Sequence, residues 1–218
     1  MTIKILIIED HPAMIEGYKS ILSFFGDDYN FEYTVAADCE AAYKHIFNSH
    51  KNFDLIFLDL MIPPAESLKL YSGEDLGTII KKQMPNAKLI ILTSHVEAII
   101  LYSIVKQINP EGLLVKSDFS GNDLILAIKN ILAGNTHYTI NVTRSIVEMN
   151  RDESFLDKYN REILKLICQG IKTKNLPKHL NLSLSSIDKR KVQIKDFLGI
   201  IKGNDEDIVL AAKKQGLV

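Results

Sequence analysis

Five side chains in the first half of this chain suit phosphorus chemistry: the pair Glu9-Asp10, then Asp59, Thr93 and Lys116. Three carboxylates brought together repel one another, so they are tolerable only with a cation among them. Mg2+ fits, since it takes oxygen ligands and completes its shell with phosphate and water. A carboxylate beside such an ion can attack phosphorus and become an aspartyl-phosphate, while a lysine offsets charge on the group in transfer. A hydroxyl that hydrogen-bonds the new phosphoryl oxygens would sense the modification, a role open to Thr93.

These side chains act together only if the chain converges them, and its hydrophobic pattern supplies the means. Ile3 to Ile8, Phe31 to Ala37, Leu55 to Leu58, Leu89 to Leu92 and Gly112 to Val115 read as short buried strands. Between them, Met14, Ile15, Tyr18, Ile21, Leu22 and Phe25 recur at helical spacing behind Pro12, a favoured first helical residue. Further helices are expected at Glu40 to Asn48, Asp75 to Gln83, Glu97 to Gln107 and Asn122 to Ala133. Strands alternating with helices in this way predict an α/β fold with a doubly wound, five-stranded parallel sheet. Function in such sheets collects at the carboxyl ends of the strands. Glu9-Asp10 end the first strand, Asp59 the third, Thr93-Ser94 the fourth and Lys116 the fifth.

In these positions residues 1 to 133 resemble the flavodoxin-like receiver domain of two-component response regulators. The resemblance runs through Ile7-Ile8-Glu9-Asp10-His11-Pro12, Leu58-Asp59-Leu60-Met61-Ile62-Pro63, Leu92-Thr93-Ser94 and Val115-Lys116-Ser117. It implies that Asp59 is the phospho-acceptor, served by a sensor histidine kinase. Glu9, Asp10 and Asp59, with the backbone carbonyl of Met61, would hold Mg2+. Lys116 would pair with the phosphoryl group, and Thr93 would be the switch hydroxyl. The Asp-His-Pro start is similar to that of the NarL/FixJ subfamily, and His11 itself stands in an ordinary loop position before Pro12. Two features depart from the pattern. Leu113 stands where the family usually has an aromatic residue, and leucine has no ring to rotate between buried and exposed positions. The loop Pro64 to Gly73 is longer than usual and carries Glu66, Lys69 and Tyr71 near the pocket.

Residues 134 to 154 are polar and read as a linker, with a short helix around Val142 to Glu148. Beyond it the pattern is all helical: Phe155 to Gln169, Lys174 to Leu180, Ser185 to Phe197 and Asp205 to Gln215. This small all-α domain, residues 155 to 218, resembles the LuxR-type helix-turn-helix through Glu162-Ile163-Leu164, Gly170, Lys174, Leu176, Leu182-Ser183, Ser186-Ile187 and Leu198-Gly199-Ile200. The resemblance implies a second helix of the motif that enters the major groove. Ser183 would cap that helix, while Lys174, Ser185, Ser186, Lys189, Arg190 and Gln193 would reach DNA: serine and lysine at phosphates, arginine at guanine, glutamine at adenine. Asp188 replaces a common lysine, and Pro177 removes a backbone donor from the first helix of the motif. The last segment would close the small domain's core through Ile208, Val209, Ala211, Ala212 and Leu217.

Charge follows the same division. Residues 1–150 hold 12 Lys/Arg against 18 Asp/Glu, and residues 151–218 hold 14 against 9. The basic second part is the one compatible with a phosphate backbone. Cys39 and Cys168 show no metal-type spacing and suit reduced core thiols. With no signal-peptide pattern and no apolar stretch of membrane length, the expectation is a cytoplasmic protein with no membrane partner. The reading is therefore a phosphorylation-controlled, DNA-binding regulator, not an enzyme, and a homodimer on paired sites. An alternative is a receiver whose C-terminal domain has lost DNA binding and acts through protein partners. A Mg2+-dependent phosphatase with an aspartyl nucleophile is a third reading, but Met61 stands where its general-acid aspartate would.

Overall fold

The computed structural model describes residues 2–26, 29–47, 52–151, 157–215 and 217–218. Two compact units emerge: one runs up to His95 and resumes over Ile104–Val142, and the other takes Val96–Ser103 and Thr143–Val218.

The first unit is built on a parallel sheet of six described strands in the order β2-β1-β3-β4-β5-β6. They are β1 (Thr2–Ile8), β2 (Asn30–Ala36), β3 (Leu55–Asp59), β4 (Lys88–Thr93), β5 (Gly112–Val115) and β6 (His137–Tyr138). Helices α1 (Pro12–Leu22), α2 (Cys39–Ile46), α3 (Gly73–Gln83), α4 (Ala98–Gln107) and α5 (Gly121–Leu132) follow the first five strands in turn. Asn48, the expected last residue of α2, lies outside the described residues. Local chemistry starts these helices. Pro12 opens α1, Asp38 accepts the Ala41 amide at the head of α2, and Ser120 with Asp123 forms a capping box on α5. β3, β4 and β5 are buried almost end to end, as a sheet covered on both faces requires. Between α1, α5 and the sheet lies a core of Ile5, Ile7, Tyr18, Leu22, Phe57, Leu92, Leu114, Leu124 and Ile128.

The sheet has one strand more than the hydrophobic pattern predicts. After α5 the chain turns at Gly134, whose φ of +90° suits a residue without Cβ. His137 then donates its amide to the Glu111 carbonyl at 2.9 Å, and Tyr138 falls in register with Leu113. A two-residue strand has no periodicity to detect. It exists because the outer edge of β5 offers unpaired backbone groups. Helix α6 follows over Ile140–Arg151, longer than the expected Val142 to Glu148.

In the second unit, α7 (Lys158–Cys168), α8 (Leu184–Phe197) and α9 (Asp205–Lys214) bury Ile163, Leu164, Ile167, Ile187, Ile194, Ile208 and Ala212. Helix α7 begins at Lys158 with Asp157 as its N-cap. The expected start at Phe155 and the linker end at Ser154 lie outside the described residues. The segment expected to be an α-helix from Lys174 is a 3-10 helix over Thr173–Lys178 that contains Pro177. Proline has no amide to donate, which disfavours an i−4 ladder, and Leu176 still reaches the core. Among the described residues, no helix is long and apolar enough to cross a membrane.

Candidate functional site

At the carboxyl ends of β1, β3 and β5, three expected residues meet in direct hydrogen bonds. Lys116 Nζ donates to Glu9 Oε2 and to Asp59 Oδ2, each at 2.8 Å. Glu9 is 1% exposed and Asp59 5%, so the two acids are held in a medium where an uncompensated charge is costly. Burial by itself would lower the Lys116 pKa. The hydrogen bonds to Asp59 and Glu9, with their charges, outweigh it and hold the ammonium above its ordinary value.

The fold locates these groups by simple means. β1 pairs with β3 through Ile5↔Leu55 to Ile8↔Leu58, and β3 pairs with β4 through Asp59↔Leu92, so the strands end nearly level. β4 and β5 pair with Thr93 opposite Val115, and the Lys116 amide donates to the Thr93 carbonyl at 2.7 Å. Thr93 is buried, and its Oγ accepts the His95 amide at 3.1 Å. The Met61 amide donates to Asp59 Oδ1 at 3.2 Å, which orients the carboxylate from the loop behind it. That loop is drawn tightly back by Gly73, whose amide donates to the Leu60 carbonyl at 3.0 Å. A Cβ there would fall 2.6 Å from Leu60 Cα and still closer to the Asp59 carbonyl oxygen.

Asp10 is the least enclosed of the three acids, and its buried Oδ1 lies 2.8 Å from His11 Nδ1 without accepting a well-aligned hydrogen bond. Three carboxylates this close, with only the Lys116 ammonium and the His11 ring among them, are the oxygen donor set that a hard divalent cation satisfies. Ligand atoms of Glu9, Asp10, His11 and Asp59 lie within 4.8 Å of one another. The residues present therefore fit Mg2+. His11, read from the sequence as a loop residue, is the N-cap of α1, and its Nδ1 lies 3.0 Å from Glu9 Oε1. The hydrogen bond to Glu9, then the charge of Asp10, raises its pKa.

The lengthened loop closes on itself. Ala65 and Leu70 exchange backbone hydrogen bonds around a 3-10 turn over Glu66–Leu68, and Leu70 is buried beneath. Glu66, Lys69 and Tyr71 face solvent. Leu113 is fully buried between Ile91 and Tyr138 in the strand register.

In the second unit the residues expected at DNA take different positions. Ser183 caps α8, accepting the Ser186 amide at 3.2 Å, and its Oγ lies 3.0 Å from Ser185 Oγ and 2.9 Å from Ser186 Oγ. Lys174, Ser185 and Lys189 are exposed. Arg190 instead turns back to α7. Its Nη1 donates to both Asp157 oxygens, at 2.7 and 2.6 Å, and to Asn160 Oδ1 at 2.9 Å. Gln193 Oε1 accepts from Asn160 Nδ2 at 3.1 Å. Lys191 donates to Thr173 Oγ at 2.7 Å and pairs with Asp205. The α7 side of this network was not visible in the sequence. Asp157 had a capping signature, but nothing local joins it to a residue 33 positions away.

Comparison with known proteins agrees with this architecture. The family model for the response regulator receiver domain matches residues 5–129. The chain is 28% identical to oxygen regulatory protein NreC of Staphylococcus epidermidis, covering 97% of this chain and 98% of that protein. NreC of Staphylococcus haemolyticus is likewise 28% identical, over 97% and 98%. Among solved structures, RcsB of Salmonella enterica serovar Typhimurium bound to the rprA promoter in the presence of phosphomimetic BeF3- has a TM-score of 0.67. That likeness of fold has 22% sequence identity and covers 98% of this chain and 99% of that one. RcsB of Salmonella typhimurium in another form has a TM-score of 0.65 at 23% identity, over 97% and 99%. With strand-end acids, a half-buried lysine and a receiver match over more than half its length, the chain belongs to the response regulator family, as a member of NarL/FixJ type.

Proposed function

We propose that this protein is a phosphorylation-controlled, DNA-binding transcriptional regulator that accepts phosphate at Asp59 from a sensor histidine kinase. The observation that carries the reading is the convergence of Glu9, Asp59 and Lys116 in hydrogen bonds across three strand ends. An Asp59 oxygen would form a bond to phosphorus as the bond from phosphorus to the donor imidazole breaks. Mg2+, held by Glu9, Asp10, Asp59 and the Met61 carbonyl, would neutralise the carboxylates and the oxygens in transfer. Lys116 would keep its bond to Glu9 and turn the other to a phosphoryl oxygen. Thr93, now accepting the His95 amide, has a hydroxyl proton to offer a second phosphoryl oxygen, which would draw β4 toward the modified state.

The output would be DNA binding by the second unit as a homodimer on paired sites, with Lys174, Ser185, Ser186, Lys189, Arg190 and Gln193 as the face expected from the sequence. NreC is named an oxygen regulatory protein, and RcsB is described on promoter DNA and as dimers on DNA; both support this output. The deciding experiment is incubation with a small acyl-phosphate donor and Mg2+, followed by intact mass and oligomer size. One added phosphoryl group and a shift toward dimer are expected for the native chain, and neither for Asp59→Ala. An unmodified native chain refutes the switch.

A second reading, output through protein partners, draws on the exposed carboxylate of Asp188 on α8. Absence of any gel shift by the full chain on genomic fragments at low salt would favour it.

A further inference from the structure

Helix α8 carries three consecutive cations, Lys189, Arg190 and Lys191, and the fold engages two of them internally. The Arg190 guanidinium spans both oxygens of Asp157 and reaches Asn160, which is 2% exposed. It also lies 4.9 Å from the centroid of the Tyr159 ring. Asp157 meanwhile caps α7 through the Asn160 amide at 2.9 Å. To reach a base, Arg190 would have to abandon an ion pair made through Nη1, a hydrogen bond to a buried amide and an aromatic face together.

What α8 leaves outward is a different set. Ser185, Asp188, Lys189 and Val192 are exposed and fall at i, i+3, i+4 and i+7, one stripe of the helix opposite the buried Ile187 and Ile194. Among the described residues, neither Asp188 nor Lys189 forms a side-chain hydrogen bond or ion pair. A carboxylate in a groove walled by phosphates is repelled unless a base-edge donor meets it, and the cytosine N4 amino group is the major-groove donor that matches an aspartate. Val192, 57% exposed, has the apolar surface to meet a thymine methyl.

We infer that α8 reads DNA through Ser185, Asp188, Lys189 and Val192, with Asp188 selecting cytosine, and that Arg190 is a positioning residue bracing α8 against α7. This rests on the DNA-binding reading proposed above. Asp188 gives specificity by penalty: it weakens every sequence that offers no donor, and so widens the gap to the one that does.

The test uses the full chain, treated with acyl phosphate and Mg2+, in selection from a randomised DNA duplex with sequencing. The native chain enriches a half-site containing a cytosine position. In Asp188→Ala the preference at that position falls about tenfold, the other positions keep theirs, and affinity for unrelated DNA rises. Arg190→Ala lowers the thermal midpoint and weakens all sequences alike, leaving the motif unchanged. A motif unaltered in Asp188→Ala overturns the inference while the DNA-binding reading stands. So does an Arg190→Ala chain of native thermal midpoint that loses one guanine position. A native chain that enriches nothing overturns the DNA-binding reading, and the inference with it.

Discussion

Glu9 and Asp59 share the ammonium of Lys116, and Asp10 adds a third carboxylate whose Oδ1 lies 2.8 Å from His11 Nδ1. Negative charge is in excess, so the pocket is under electrostatic strain that a divalent ion relieves. Substitutions of opposite sign should therefore move stability in opposite directions. Asp10→Asn removes repulsion, and its thermal midpoint without divalent ion should exceed that of the native chain. The native chain should gain about 2.7 kcal/mol from Mg2+ at 100 times its dissociation constant. Asp10→Asn should lose most of that gain, and thermal denaturation with and without Mg2+ reads both effects. Lys116→Ala leaves Glu9 and Asp59 buried beside each other without their cation, at a cost of about 3 kcal/mol in urea denaturation. Equal midpoints for the native chain and both variants would refute the strained pocket.

At the scale of elements, the site depends on how closely the backbone segments approach. Gly73 opens α3 against the end of β3, and an added Cβ there meets backbone atoms of Asp59 and Leu60 that cannot turn aside. Gly73→Ala should cost about 3 kcal/mol. Gly112→Ala meets the end of the Ile131 side chain and the branch carbons of Ile90, side-chain atoms rather than backbone, and should cost less. Equal losses in urea denaturation would refute the distinction. Glu111, just ahead of β5, ties α3 to β4, accepting Lys81 Nζ at 2.8 Å and the Leu89 amide at 2.9 Å. Burial pushes its pKa up, but the Lys81 hydrogen bond and the Leu89 amide outweigh that and hold the carboxyl below its ordinary value. Its folded pKa is depressed, so its contribution is present above the ordinary glutamate value, about 4.3, and fades as pH falls through the lowered one. The thermal midpoint of the native chain should thus fall more steeply than that of Glu111→Gln on acidification through this range. Parallel pH profiles would remove Glu111 from the stability of the sheet.

For the whole molecule the relevant quantity is the division of charge, with the acidic excess before residue 150 and the basic excess after it. If the basic part meets a phosphate backbone, affinity should fall linearly with the logarithm of salt concentration. Lys174 is exposed on the 3-10 segment ahead of α8. Lys174→Ala should weaken all DNA sequences about equally and reduce the salt slope by about one. A slope unchanged in Lys174→Ala, measured by fluorescence anisotropy on one duplex, would take this residue off the phosphate contact surface.

What the sequence determined by itself is the set of reactive groups and the strands that end in them. Apolar runs of four residues are long enough to declare buried strands, and Asp59, Thr93 and Lys116 stand directly at their carboxyl ends. Parallel pairing then leaves little freedom in where Glu9, Asp59 and Lys116 meet. Contacts between residues distant along the chain arise only on folding. β6 is too short to carry a periodic signal and forms because the β5 edge is open to it. The Lys189-Arg190-Lys191 run reads as uniformly basic, yet successive residues on a helix turn by about 100°. Lys189 faces solvent, while Arg190 meets Asp157 of α7's cap and Lys191 meets Thr173. Helical periodicity can say that three neighbours point three ways, but which of them finds a partner depends on elements that pack there only once the chain has folded.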